Sequence, residues 1–224
     1  AIVYTTKRGN YGQKLKVTYS FKADFSQVNK LPDLQTEYAQ GVGGGVANEE
    51  GGLTQGDYVT LTETSAGTSS SWGPKISNLD GVNSYDNPDL FFETGTGFNH
   101  NLAISAGGEN SAFRLTISQL DQTGMIPNTT LNRTSVRFNG DIDVTKHFKM
   151  GATANYIHTG GFKAQNGSNL SGVMLGLTRA PASWNIKGGE GPYNYTNPDG
   201  TQYQYFLFYD NPLWTVYRNP SHDN

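Results

Sequence analysis

Two runs of strict polar/apolar alternation lie back to back between residues 133 and 156. Thr134, Val136, Phe138, Ile142 and Val144 alternate with Arg133, Ser135, Arg137, Asn139, Asp141 and Asp143; Phe148, Met150, Ala152, Ala154 and Tyr156 then alternate with Lys149, Thr153 and Asn155. Only residues 145–147 separate the runs. Side chains of a strand point to opposite faces with a period of two, so the pair predicts a long antiparallel hairpin with one apolar and one polar face. Strands of globular domains are usually about 5 or 6 residues long, and two neighbours of about 12 are unusual. At roughly 3.3 Å per residue and a tilt near 45°, about 12 residues rise about 28 Å, the height of the apolar band of an outer-membrane barrel.

The pattern recurs. Leu15, Val17, Tyr19, Phe21, Ala23 and Phe25 alternate with Lys14, Lys16, Thr18, Ser20, Lys22 and Asp24. Leu102, Ile104 and Ala106 precede Gly107, Gly108, Glu109 and Asn110, and Phe113, Leu115 and Ile117 follow; glycine and asparagine supply the positive φ of a tight turn. Five strands result, joined by a long loop (about 26–98), a tight turn (107–110), a medium loop (120–131) and a tight turn (145–147), with a long tail from 160. Alternation of short and long connections is the habit of transmembrane barrels, whose turns are short on one side and whose loops are long on the other.

Apolar content of 35% and a mean hydropathy of −0.56 argue against membrane helices but not against a barrel, which buries only every second strand residue in lipid. No stretch approaches the roughly 18 to 20 apolar residues of a membrane-spanning helix. Charged residues make up only 16%, against about 25% in ordinary soluble domains, while 28 glycines, 13 tyrosines and 11 phenylalanines stand out. A net charge of −3 gives no support to nucleic-acid binding. The absence of cysteine removes disulfides, thiol nucleophiles and cysteine-ligated metals. The chain opens on Ala1, Ile2 and Val3 without a charged leader, which reads as an internal fragment, and five strands are fewer than the eight of the smallest closed barrels.

Several ordered strings carry a family resemblance. Ala1-Ile2-Val3-Tyr4-Thr5-Thr6-Lys7-Arg8-Gly9 is similar to the end of the plug domain of SusC/RagA-like TonB-dependent outer-membrane transporters, and Leu31-Pro32-Asp33-Leu34-Gln35 stands where that family has a similar stretch after its first barrel strand. Further matches are Ser71-Trp72-Gly73-Pro74-Lys75, Phe91-Phe92 with Thr94-Gly95, Asn99-His100-Asn101, Gly107-Gly108, Gly124-Met125-Ile126-Pro127-Asn128 followed by Arg133, and Tyr209-Asp210-Asn211-Pro212-Leu213-Trp214. The resemblance implies an all-β fold of antiparallel strands from a transmembrane barrel of about 22 strands with long extracellular loops, of which this chain covers the first five or six. Residues 1–10 would end the plug and 11–224 would form the N-terminal part of the barrel, with external loops at about 26–98 and 160–224. It further implies the outer membrane of a Gram-negative bacterium, energisation by the TonB complex through a part outside these residues, a SusD-like surface lipoprotein as partner, and glycan or peptide cargo.

If the apolar face meets lipid, Lys16, Lys22, Arg114, Arg133, Arg137, Asp141 and Asp143, together with Lys14 and Lys149, face the lumen and offer a plug mixed-charge partners; the bland alternative is a solvated wall. The rings of Tyr193, Tyr195, Tyr203, Tyr205, Tyr209 and Trp214 suit stacking on cargo or anchoring the lipoprotein, or else form the loop's own small core. Trp72 reads as a recognition anchor or as the pin of the long first loop. His100 and His147 at strand ends have no metal-ligand spacing, and Asp86-Asn87-Pro88-Asp89 and Asn197-Pro198-Asp199-Gly200 read as turns rather than calcium loops. Neither a metal nor a cofactor is expected. Ser168 reads as the cap of a short helix carrying Leu170, Val173, Met174 and Leu177 and ending near Arg179. An outer-membrane hydrolase is disfavoured by the lack of a Gly-x-Ser-x-Gly or comparable motif, so no enzyme activity is expected. A secreted carbohydrate-binding β-sandwich with the aromatic tail as its site is the other alternative.

Overall fold

A computed structural model of the protein describes residues 7–41, 46–47, 53–54, 69–167, 170–206 and 208–223. The strands are β1 (Lys16–Ser26), β2 (Val46–Ala47), β3 (Leu53–Thr54), β4 (Gly95–Gly107), β5 (Ser111–Thr123), β6 (Thr130–Thr145), β7 (Phe148–Lys163) and β8 (Ser221–Asp223). Six of them form one antiparallel sheet in the order β1-β4-β5-β6-β7-β8, while β2 and β3 make a separate small hairpin. The fold is mostly antiparallel β, consistent with part of a β-barrel. None of the described helices is long and apolar enough to cross a membrane, which says nothing of crossing by strands.

The five alternating runs all become strands, and two of them reach 16 residues. Two differences from the sequence reading are physical. The loop expected at 120–131 shrinks to 124–129, because β5 and β6 keep pairing out to Thr123 and Thr130. A sixth strand, β8, adds a three-residue ladder to the end of β7, from Gly161 opposite Asp223 to Lys163 opposite Ser221. At the other end, β6 and β7 turn through residues 146–147 with a register shift between Asp143 and Thr145.

Directly opposed residues of an antiparallel sheet share a face. The register therefore sets Val17, Ile104, Leu115, Phe138 and Ala154 in one row across five strands, and Tyr19, Leu102, Ile117, Val136 and Tyr156 in the next. This face is open to its surroundings: Val17 is 59% exposed, Phe25 71% and Tyr156 62%. Its apolar residues do not fill a rectangle. On β1 they run up to Phe25, on β5 they stop at Ile117 and give way to Gln119 and Asp121, and on β6 and β7 they extend down to Ile142, Met150 and Phe148. From β1 to β7 the centre of the band thus slides by about five residues, roughly 17 Å along the strands, while crossing roughly 19 Å of sheet. The slope of about 40° equals the strand tilt of membrane barrels.

The loops at the opposite end from the tight turns fold into a cap. It contains α1 (Asn87–Phe91), α2 (Val173–Arg179) and α3 (Pro212–Arg218) around a core of Phe91, Val173, Leu177, Trp184, Ile186, Tyr195, Tyr205, Leu213 and Val216. The helix expected before Arg179 is present as α2, but its N-cap is Gly172 with no side-chain cap, and Ser168 lies outside the described residues. Residues 1–6 of the expected plug end and residues 64–68 before Trp72 also lie outside them. The Asp86 and Asn211 carboxyl and amide oxygens accept from Asp89 N–H and Leu213 N–H and so start α1 and α3, each with proline at the first turn.

Candidate functional site

Parity places Lys16, Lys22, Arg114, Arg133, Arg137, Asp141 and Asp143 together on the sheet face opposite the apolar band. Lys16 and Arg114 flank Ser105, Asn139 follows in the same row, and Arg137 lies diagonally beside Arg114 on the neighbouring strand. The two aspartates stand lower, near the tight turns, and there the wall is covered.

The cover is the segment 7–13, which crosses the polar face as a strap. Arg8 pairs with Asp141. The Tyr11 hydroxyl donates to Asp143 Oδ1 at 2.8 Å, and Lys149 Nζ reaches the other oxygen of the same carboxylate at 2.8 Å. Gln13 Nε2 donates to Ser105 Oγ at 3.3 Å, and buried Asn139 donates from Nδ2 to Lys7 O at 3.3 Å while its Oδ1 accepts from Thr153. Backbone bonds from Gly12 N–H to Gly108 O and from Gly107 N–H to Gln13 O, both 2.8 Å, tie the strap to the turn. Gly9 lies so close to the Phe113 backbone that a Cβ would overlap it, which explains a glycine at this crossing. Hydrogen bonding to the Asp143 carboxylate holds the Tyr11 phenol above its ordinary pKa, with partial desolvation and the charge of Asp143 adding to the effect. Both wall aspartates thus have partners in or beside the strap.

The cap distributes the aromatic residues unevenly. Tyr205, 1% exposed, and Tyr195 lie in its core, where they pack against Trp184 and against Tyr193 and Tyr217 respectively. Burial pushes the Tyr205 phenol far above its ordinary pKa, and burial likewise raises Tyr195 and Tyr217. The rings of Tyr195 and Tyr205 are therefore parts of the loop's own core. Tyr203 stacks on Trp184 at 5.5 Å, and Tyr209 lies under the Arg179 guanidinium at 4.9 Å. Tyr193 is exposed in a stack with Tyr195 and Tyr217, and Arg218 sits 4.7 Å from the Tyr193 ring and 5.8 Å from the Trp214 ring. Trp72 is 61% exposed, its ring leaning on Tyr38 at 5.7 Å and its backbone N–H donating to Gly41 O.

Sequence reasoning did not find the residues that hold the cap together. Asn87 and Asn211 are buried polar hubs. Asn87 donates to Trp184 O at 2.8 Å and Pro181 O at 3.3 Å and accepts from Ile186 N–H at 2.9 Å. Asn211 donates to Tyr203 O at 2.9 Å and Ile186 O at 3.2 Å and accepts from Leu213 N–H at 2.9 Å. An Asn-Pro step ahead of Leu213 and an Asp-x-Pro step at residues 86–88 were the available signals. Among the described residues no group of three histidine, aspartate or glutamate side chains is placed to hold a metal.

No family model matches the chain. It is 23% identical to the TonB-dependent receptor SusC of Bacteroides thetaiotaomicron over 221 residues, which are 98% of this chain and 19% of that protein. It is 36% identical to the TonB-dependent receptor P3 of Formosa agariphila over 63 residues, 28% of this chain and 6% of that protein. The chain is thus similar to TonB-dependent receptors and spans about a fifth of the length of SusC.

Proposed function

We propose that these residues form part of a TonB-dependent transporter in the outer membrane of a Gram-negative bacterium, importing glycans or peptides with a SusD-like surface lipoprotein and performing no covalent chemistry. The slanted apolar band carries this reading. A sheet whose outward rows are apolar to a diagonal boundary, and whose reverse is polar, fits strands inclined through a bilayer. A β-sandwich needs a second sheet on the apolar face, and among the described residues Val17, Tyr19 and Phe21 are more than half exposed there. The similarity to two TonB-dependent receptors supports the energy coupling.

In this reading residues 7–10 belong to the exit of the plug, and Lys16, Lys22, Arg114, Arg133, Arg137, Asp141 and Asp143 face the lumen. Contact with cargo or lipoprotein falls to ring faces that remain accessible, those of Trp72, Tyr193 and Trp214, with Tyr203 and Tyr209 at the edge of the cap. Spin labels on the intact protein in liposomes test the placement. Labels at Val17, Phe138 and Ala154 should be relaxed by lipid-soluble oxygen, and labels at Thr18, Thr116 and Asn155 by a water-soluble relaxant. Equal accessibility of the two sets would remove the membrane reading. Uptake of candidate glycans and peptides should fall alike when this gene or TonB is deleted, and uptake that persists without TonB would refute the energy coupling.

A further inference from the structure

A cleft of about 550 Å³ opens between the first long loop, at residues 78–85, and the segment 183–188 that follows α2. That volume lies within the roughly 300–1,000 Å³ of small-ligand sites. Its two walls are fixed to each other: Tyr85 N–H donates to Ala182 O at 2.8 Å, and Leu79 and Val82 pack against the cluster of Ala39, Ile76 and Ala182. Tyr203 lines the cleft, its ring stacked at 5.5 Å on Trp184, which is only 5% exposed and backs it from the core. Gly188 passes so near that a Cβ there would stand 3.0 Å from the Tyr203 hydroxyl. Asp80 stands beside Gly81, whose φ of 76° turns the loop, and neither Asp80 nor Asn83 has a side-chain partner among the described residues. Asn78 and Asn185 accept through Oδ1, from Ser77 Oγ at 3.4 Å and Lys187 N–H at 2.9 Å, which leaves their amide hydrogens for a ligand. None of the described residues lining the cleft is cationic.

We propose that this cleft is a subsite for an uncharged sugar residue, held by Asp80, Asn83, Asn78 and Asn185 against the ring of Tyr203; this deepens, and rests on, the reading of the protein as an importer of glycans or peptides. A sugar hydroxyl donates and accepts at once, so a carboxylate that only accepts, set among amides that donate, satisfies neighbouring hydroxyls in both directions. Hydrogen bonds to the charged Asp80 are the stronger ones. The Tyr203 ring offers a flat apolar surface to the C–H face of a pyranose, and Trp184 behind it fixes its plane. An acidic sugar would set its carboxylate near that of Asp80 with no lining cation to offset the repulsion, so the site selects against uronates. A peptide presents one backbone donor and one acceptor per residue and no flat hydroxylated face for Tyr203.

Titration calorimetry on the intact, detergent-solubilised protein tests this with cellohexaose, maltohexaose, mannohexaose and xylohexaose as neutral probes, oligogalacturonate as the acidic one and hexaalanine as the peptide. At least one neutral probe should bind, and oligogalacturonate should bind about tenfold more weakly or not at all. Asp80→Ala should weaken the neutral probe about tenfold, the order of a lost hydrogen bond to a charged group. Tyr203→Ala should weaken it by a similar factor, whereas Tyr203→Phe, which keeps the stacking face, should stay within about threefold. Asp80→Lys should reverse the order of neutral and acidic probes. Asp80 has no partner to lose, so its variants keep the proposal testable should Tyr203→Ala disturb the cap, and hydrogen exchange in peptides covering 203–218 reports that disturbance. Binding by none of the neutral probes would overturn the proposal, as would neutral binding indifferent to both Asp80→Ala and Tyr203→Ala. Hexaalanine binding that depends on Tyr203 would assign the cleft to peptides and overturn it as well. Failure of the transport reading shows separately, in uptake that persists without TonB, since binding to solubilised protein needs neither TonB nor a membrane.

Discussion

Asn211 makes a quantitative claim about the cap. Its side chain is fully buried, with two amide hydrogens on the Ile186 and Tyr203 carbonyls and its oxygen on the Leu213 N–H. Asn211→Ala removes an N-cap worth about 1 kcal/mol and leaves two buried carbonyls without donors, at about 1–3 kcal/mol each. The cap should lose about 3–7 kcal/mol against local opening, which is roughly 10²- to 10⁵-fold faster amide exchange at about 1.4 kcal/mol per tenfold. Asn211→Asp separates the two contributions: a carboxylate still accepts from Leu213 N–H but can donate to neither carbonyl and is itself buried, so it should open the cap further than alanine does. Hydrogen-exchange mass spectrometry on the intact protein reads both, in peptides covering 184–188 and 203–218, with exposed Asn194→Ala as a control and peptides of β5 and β6 as an unchanged reference. Exchange within threefold of the parent for Asn211→Ala, or Asn211→Asp better protected than Asn211→Ala, would refute the reasoning.

Three further outcomes are expected. Gly9→Val should lift the strap from the Phe113 backbone and expose the Gly12 and Gly107 amides to exchange at least tenfold faster, while β4 and β5 beyond the turn stay protected; unchanged protection of those two amides would contradict the crossing. The Tyr205, Tyr195 and Tyr217 phenols are raised above their ordinary value by burial, so as pH climbs past about 10 the unfolded chain ionises while the folded cap does not, and the stability present below that pH is progressively lost. Phenolate absorbance should therefore appear in two stages, exposed tyrosines first and these three together with cap opening. Tyr205→Phe, which deletes a buried hydroxyl with no partner among the described residues, should leave the cap at least as stable and move its alkaline opening to higher pH.

Legibility followed period. The five long strands of the sheet were readable because each side chain's face depends only on its position in an alternating run, and the β4–β5 and β6–β7 pairs followed from short turns such as residues 146–147, whereas the three residues of β8 are too few to show a period. That same parity puts the seven charged residues on one face in the observed register. It could not show that Asp141 and Asp143 are taken by Arg8, Tyr11 and Lys149, because the strap meets them across more than a hundred residues of sequence. The cap was opaque for another reason. Phe91, Ile186, Tyr205 and Val216 belong to loops and helices of five to seven residues, too short for a helical period, so nothing local distinguished core rings such as Tyr205 from exposed ones such as Tyr193.

The diagonal edge of the outward band decouples neighbourhood from depth. Phe21 and Gln119 share one row with only His100 between them, yet the boundary passes between their strands. In the proposed membrane placement, a lysine in place of Phe21 would be solvated by acyl chains, at a cost of up to about 2–4 kcal/mol if it sits near the midplane, whereas the same lysine in place of Gln119 would rest among headgroups at almost none. Tolerance to charge on this surface should consequently follow oblique contours, and a scan along any single row would meet both an oil phase and a water phase within two strands.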